Sequence, residues 1–254
     1  MPRIRTTILG TKIDVIDFDQ ALKQVEIFLQ RGRHHVVTPN PEFVLQARKD
    51  KKFREIVNSA DLAIPDGFGL VIASQFTKNK IKQTVTGSNL VPKILNICSA
   101  NNLSVAIVNL QGSLATAPEI QLSVQAKYPQ LNLKSYDIAR EDVFAVEILE
   151  KLWQFKPDVI FATFGSPLQD TWLAGVIDKL PDVRLAMGVG GTFDFIAGKR
   201  DRAPKIFRKL GLEWLHRMFA KPRGGQYHFN KRLSKIFRSL IIFPIIFIFT
   251  FNKS

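Results

Sequence analysis

Val159-Ile160-Phe161-Ala162-Thr163-Phe164-Gly165-Ser166-Pro167-Leu168-Gln169 carries an apolar, β-branched run straight into a glycine turn and then into a helical pattern over residues 167–179. A short run this free of polar residues fits a strand buried on both faces, and such strands belong to parallel sheets covered by helices. The same order of strand, turn and helix recurs along the chain. Apolar stretches at 6–16, 35–38, 62–65, 104–109, 131–136, 159–163 and 183–189 alternate with helical patterns at 18–30, 41–58, 67–76, 88–100, 113–128, 140–155 and 167–179. The alternation predicts an α/β fold, a Rossmann-like and mainly parallel sheet with helices on both faces. Leu9-Gly10-Thr11 divides the first run, which predicts an N-terminal hairpin. No internal repeat or interior linker interrupts the pattern, so one α/β domain is expected over residues 1–198, followed by a basic helical C-terminal appendage over 199–254.

In an open α/β sheet, ligands bind outside the carboxyl ends of the strands. Four segments stand there: Thr38-Pro39-Asn40-Pro41-Glu42, Pro65-Asp66-Gly67, Gly165-Ser166-Pro167-Leu168-Gln169 and Gly188-Val189-Gly190-Gly191-Thr192. The carboxylate of Asp66 suits a general base, but taken alone it is better read as a cap on the helix that starts near Gly67. Thr38 and Asn40 carry the same two readings, with Asn40 a natural cap for a helix whose first turn holds Pro41 and Glu42. The amides of Gly190, Gly191 and Thr192 open a helical segment and can receive a phosphate. Their glycine spacing is not the dinucleotide fingerprint. Gln169 stands beside the turn amides of 165–167, where it can read a nucleobase or a diphosphate.

Other chemistries find less support. Asp17-Phe18-Asp19 has the form of a metal-holding acidic triplet, but it sits where a helix should begin and is better read as a cap. His34 and His35 are adjacent and lack metal-ligand spacing. There is no serine nucleophile elbow and no phosphate loop with a lysine, which argues against hydrolase and kinase readings.

Charge is divided unevenly along the 254 residues. Residues 1–198 hold 22 basic and 20 acidic side chains, a net of +2, whereas 199–254 hold 14 and 2, a net of +12. Something anionic meets this last fifth, and charge alone fits nucleic acid and an anionic membrane surface equally. The twelve uncharged residues 240–251 favour the membrane. They are too few to span a bilayer, which takes about 20 residues, and read either as an interfacial anchor or as a buried terminal element packed on the domain. Residues 1–19 lack the continuous apolar core of a secretion signal. The single cysteine, Cys98, lies in an apolar helical pattern, and a reducing, cytoplasmic setting is expected.

Together these segments resemble the WecG/TagA/CpsF family of glycosyltransferases, glycosyltransferase family 26, from residue 10 to about 225. The resemblance rests on the four segments above, on Ala60-Asp61, Phe68-Gly69, Val85-Thr86-Gly87-Ser88-Asn89-Leu90 and Phe193-Asp194, and continues through Gly198-Lys199-Arg200, Arg202-Ala203-Pro204, Glu213-Trp214-Leu215-His216-Arg217 and Pro222-Arg223. It implies a fold of the GT-E type and an inverting, metal-independent enzyme without cofactor. Such an enzyme moves N-acetylmannosamine, or a related sugar, from a UDP-sugar donor to a lipid-linked acceptor, N-acetylglucosamine on a polyprenyl diphosphate, for cell-surface polysaccharide. By the same resemblance Asp66 is the base, Thr38 and Asn40 line the pocket, and Gln169 contacts the nucleotide. Arg217 and Arg223, with Arg202, complete the site from an appendage that touches the inner face of the cell membrane. A homo-oligomer stays open, and nucleic acid is not expected as a partner. Thr84 stands where the family commonly has an arginine, so a cationic contact is missing there or comes from Lys82. Two other readings stay open, a different UDP-hexose donor and a non-catalytic membrane or nucleic-acid binding module.

Overall fold

The computed structural model describes residues 3–204 and 238–251. A hairpin of β1 (Arg5–Ile8) and β2 (Thr11–Asp14) opens the chain, turned by Leu9 and Gly10 at φ +50° and +82°, the primed turn that matches strand twist. The main sheet holds β3 (His34–Val37), β4 (Leu62–Ala63), β5 (Val105–Leu110), β6 (Leu133–Ile138), β7 (Val159–Ala162) and β8 (Leu185–Gly188). Its spatial order is β4-β3-β8-β7-β5-β6, and its strand pairs are parallel.

Alternation along the strands sorts the core into two layers. The row Val36, Met187, Phe161 and Ile107 lies in register and meets α1 (Phe18–Gln30), α5 (Gly87–Ala100), α6 (Ala117–Lys127) and α9 (Thr192–Ile196). The neighbouring row, Ala186, Ile160 and Ala106, meets α7 (Val146–Phe155) and α8 (Leu168–Val176). Its small residues leave room for Trp172, fully buried on α8. On that side Val37 and Ala63 meet α2 (Pro41–Lys49) and α3 (Lys51–Ser59). Cys98 is buried against the first layer, and the apolar surroundings push its thiol up to about 12.

Helix boundaries depart from periodicity where short polar side chains intervene. The single helix expected over 41–58 is two helices, because Asp50 ends α2 and accepts a bond from Phe53 N at 3.1 Å to cap α3. Asp17 is a cap: it accepts from Gln20 N at 2.8 Å while Gln20 Oε1 accepts from Asp17 N at 3.0 Å.

The chain end returns to the domain. A π-helical stretch, Arg238–Ile242, leads into α10 (Phe243–Phe251). Phe243 and Phe247 join Ile8, Ile13, Val44, Leu45, Ile81 and the residues Leu70 and Ala73 of α4 (Phe68–Ser74) in a third cluster. Arg238 lies 3.9 Å from Glu42 on α2. Packing on the domain therefore holds for one face of the terminal apolar run. No helix among the described residues is long and apolar enough to cross a membrane.

Candidate active site

Leaving β5 the chain goes to β6 on one side, and leaving β7 it goes to β8 on the other, so the topological switch lies between β5 and β7. There Thr163 Oγ1 donates to Asn109 Oδ1 at 2.5 Å. Asn109 Nδ2 donates to Ala115 O at 2.9 Å and Asp137 Oδ1 at 2.7 Å, and Asp137 Oδ2 accepts from Ala117 N at 2.8 Å. This buried network fixes the floor of a cavity of about 250 Å³ lined by Asn109, Ser113, Thr163, Gly165, Gly191 and Arg200, among others.

Gln169 joins the two glycine turns. Its side chain is buried, and Oε1 accepts from Gly165 N at 3.0 Å and from Gly190 N at 3.1 Å. One side-chain oxygen thus holds the ends of β7 and β8 in a single arrangement. Gly188 makes this packing feasible, because a Cβ there would collide with Gln169 Nε2 and come within 2.7 Å of Asp170 Oδ1. Two of the three amides expected to receive phosphate are already used inside the protein: Gly190 N by Gln169, and Thr192 N by Val189 O at 3.2 Å. Thr192 is itself buried, its hydroxyl donating to Val189 O at 2.7 Å. The charged groups at this wall are Arg200 and Asp194, 3.6 Å apart; burial raises the Asp194 carboxyl against the pull of Arg200.

Asp170 was missed by sequence reasoning. It is fully buried on α8, and neither carboxyl oxygen has a well-formed hydrogen bond. Burial lifts it to about 7, with Gln169 and Ser166 restraining the rise. The available signal was position: Gln169, Asp170, Leu173 and Val176 form one buried stripe, so the helical pattern aims both polar side chains at the sheet.

The second half of the edge lies at β3 and β4. Thr38 is buried, its hydroxyl 3.5 Å from Gly188 O. Asn40 caps α2, Oδ1 accepting from Phe43 N at 2.9 Å. Main-chain bonds tie the two strand ends together, Ile64 N to Val37 O at 3.0 Å and Asp66 N to Pro39 O at 2.8 Å. The cap position of α4 is Gly67, not Asp66. Gly67 has φ +118°, and a Cβ there would stand 3.2 Å from Pro41 Cδ, so this tight join needs glycine. Asp66 is left half-buried at the rim of the edge. Three strand spacings, about 14 Å, separate β4 from β7.

The structure therefore brings Thr38, Asn40, Asp66, Gln169 and 190–192 to one edge of the sheet. Arg202 reaches it from beyond α9, Nη2 donating to Ser88 Oγ at 3.1 Å and Asn89 Oδ1 at 2.7 Å at the start of α5. Lys82 is exposed. Arg217 and Arg223 lie outside the described residues. Among the described residues no group of three His, Cys, Asp or Glu side chains is gathered as a metal site.

A parallel α/β sheet with its polar residues gathered at one carboxyl edge, beside a cavity at the switch point, has the place where open α/β sheets bind their ligands. The pattern of the glycosyl transferase WecG/TagA/CpsF family matches residues 6–241, and the chain belongs to that family. It is 31% identical over 218 residues, 84% of each chain, to the N-acetylglucosaminyldiphosphoundecaprenol N-acetyl-beta-D-mannosaminyltransferase of Staphylococcus aureus strain MRSA252. It is 29% identical over 216 residues, again 84% of each chain, to the protein of the same name from strain NCTC 8325 / PS 47.

Proposed function

We propose that this chain transfers N-acetylmannosamine from UDP-N-acetylmannosamine to N-acetylglucosamine carried on a polyprenyl diphosphate, with inversion and without a metal. The supporting observation is the carboxylate of Asp66, half-buried just beyond β4 and outside the cap position of its helix, on the same sheet edge as the switch-point cavity. The names of the staphylococcal relatives supply the sugar and the acceptor.

The nucleotide occupies the cavity at β5, β7 and β8, whose turns Gln169 holds in place, and the donor diphosphate extends along the edge toward Thr38. Asp66 takes the proton of the acceptor hydroxyl as that oxygen bonds to the anomeric carbon. The bond from that carbon to the diphosphate oxygen breaks on the opposite face, and UDP leaves. A positioned base contributes about 10² to 10⁴ in rate. Arg217 and Arg223 neutralise the departing diphosphate, with Arg202 holding the start of the appendage against α5. The acceptor is a lipid, so the enzyme works peripherally on the inner face of the membrane, and the basic appendage suits an anionic leaflet.

The test is incubation of the purified chain, in EDTA, with UDP-N-acetylmannosamine and a short-chain lipid-linked N-acetylglucosamine, followed by mass analysis and by NMR of the anomeric centre. Addition of one N-acetylhexosamine with β configuration is expected. Transfer from another UDP-hexose but not from this donor would overturn the choice of sugar, and loss of transfer in EDTA the metal-free mechanism.

A further inference from the structure

Helix α10 is apolar around nearly its whole circumference. Its one polar side chain, Thr250, turns its hydroxyl back onto Ile246 O at 2.7 Å. Phe243 and Phe247 are buried against the domain, whereas Ile245, Ile248 and Phe249 face outward, Phe249 being 68% exposed. A helix with apolar residues on all sides belongs in an apolar medium.

The neighbouring surface of α4 shares this character. Phe68 and Ile72, one turn apart, and Phe76 just beyond the helix all point outward, Ile72 at 51% and Phe76 at 56% exposure. The two elements are joined side by side: Phe243 lies 3.8 Å from where a Cβ of Gly69 would be, and the rings of Phe76 and Phe247 are 6.0 Å apart. Phe243 thus meets the first turn of α4, and Phe247 meets the residues just after its last turn. Directly after Phe76 come Lys78 and Lys80, both exposed, and Arg238 enters α10 from the other end. Apolar centre and cationic rim together match the boundary of an anionic bilayer.

We infer that α4 and α10 form one membrane-docking surface, and that this surface presses the Asp66 edge against anionic phospholipid. Nine residues of helix reach about 14 Å, so α10 lies in the interface rather than crossing the bilayer. Phe68 follows Asp66 by two residues, which places the base at the depth where the head of a lipid-linked acceptor is presented. The inference rests on the proposed function for the acceptor and on the structure alone for the surface.

The test is co-sedimentation of the full chain with vesicles of phosphatidylcholine, with and without phosphatidylglycerol. Three variants are compared, Ile72→Glu, the pair Lys78→Glu with Lys80→Glu, and Leu122→Glu as a control at an exposed apolar residue on α6. All change exposed side chains, and unfolding curves like the wild type confirm intact folds. Expected are retention by the anionic vesicles, a loss of at least about tenfold for Ile72→Glu and about thirtyfold for the lysine pair, and none for Leu122→Glu. Transfer to a long-chain acceptor in vesicles falls in parallel, while transfer to a short-chain acceptor in solution is unchanged. Wild-type retention in both the Ile72 and the lysine variants would overturn the inference, as would a change from oligomer to monomer in Ile72→Glu with vesicle binding intact, since the surface would then cover a second copy. If retention depends on Ile72 but no sugar is transferred to either acceptor, the proposed function fails and the docking surface stands.

Discussion

Asp170 and His35 are two buried groups whose ionisation acts on stability in opposite senses, and replacing one exposes the other. Asp170 is held at about 7 in the folded chain against an ordinary 3.8, so the native state keeps a proton that the unfolded chain gives up. Stability falls as pH rises from about 4 to 7, by on the order of 4 kcal/mol at about 1.4 kcal/mol per unit. His35 is lowered by burial to about 4 against an ordinary 6.5, with Asp61 opposing the shift. There the unfolded chain binds the extra proton, so stability rises between about pH 4 and 6.5, by on the order of 3 kcal/mol. The two slopes nearly cancel in the wild type. Asp170→Asn keeps the side-chain shape and removes the falling slope, so its stability should climb by on the order of 3 kcal/mol from pH 4 to 6.5 relative to a level wild-type profile. Urea unfolding at half-unit pH steps from 4 to 8, analysed at constant m, measures this. Parallel profiles for the wild type and Asp170→Asn would refute the assignment of an uncompensated carboxyl beneath the glycine turns.

Asp66→Asn should keep the fold and lower kcat by about 10² or more; near-normal turnover would remove Asp66 as base. Gln169→Leu frees the amides of Gly165 and Gly190 together, which should cost about 2 kcal/mol of stability or more and raise KM for the UDP-sugar, as read by unfolding and steady-state kinetics. Asn40→Asp retains the cap on α2 and Asn40→Ala loses about 1 kcal/mol; if the two variants are equally active, Asn40 serves the helix and not the sugar. Cutting the chain after residue 198 should abolish transfer and also lower the unfolding midpoint, because Phe243 and Phe247 leave the third core cluster; a truncated domain as stable and as active as the full chain would contradict both roles.

Strands, helices and the edge that carries the site were readable from the chain because each depends on neighbours in sequence. An uninterrupted run such as 159–163 announces a strand covered on both faces, Asp17 three residues before Gln20 announces a cap, and Asp66-Gly67 behind an apolar run announces a strand end. What needed the tertiary structure depends on residues far apart. The strand order sets the switch between β5 and β7, so it decides that Asn109 and Thr163, 54 residues apart, floor a cavity. No local pattern states that Gln169 spends its oxygen on Gly190, so that this amide is already engaged, or that neither carboxyl oxygen of Asp170 finds a well-formed hydrogen bond. The terminal run 240–251 shows the same division: its composition declares an apolar segment, and only its contact with α4 decides which face meets the protein and which is left outward. Propensity and period act over a few residues, whereas desolvation and hydrogen-bond competition are settled when distant segments close on one another.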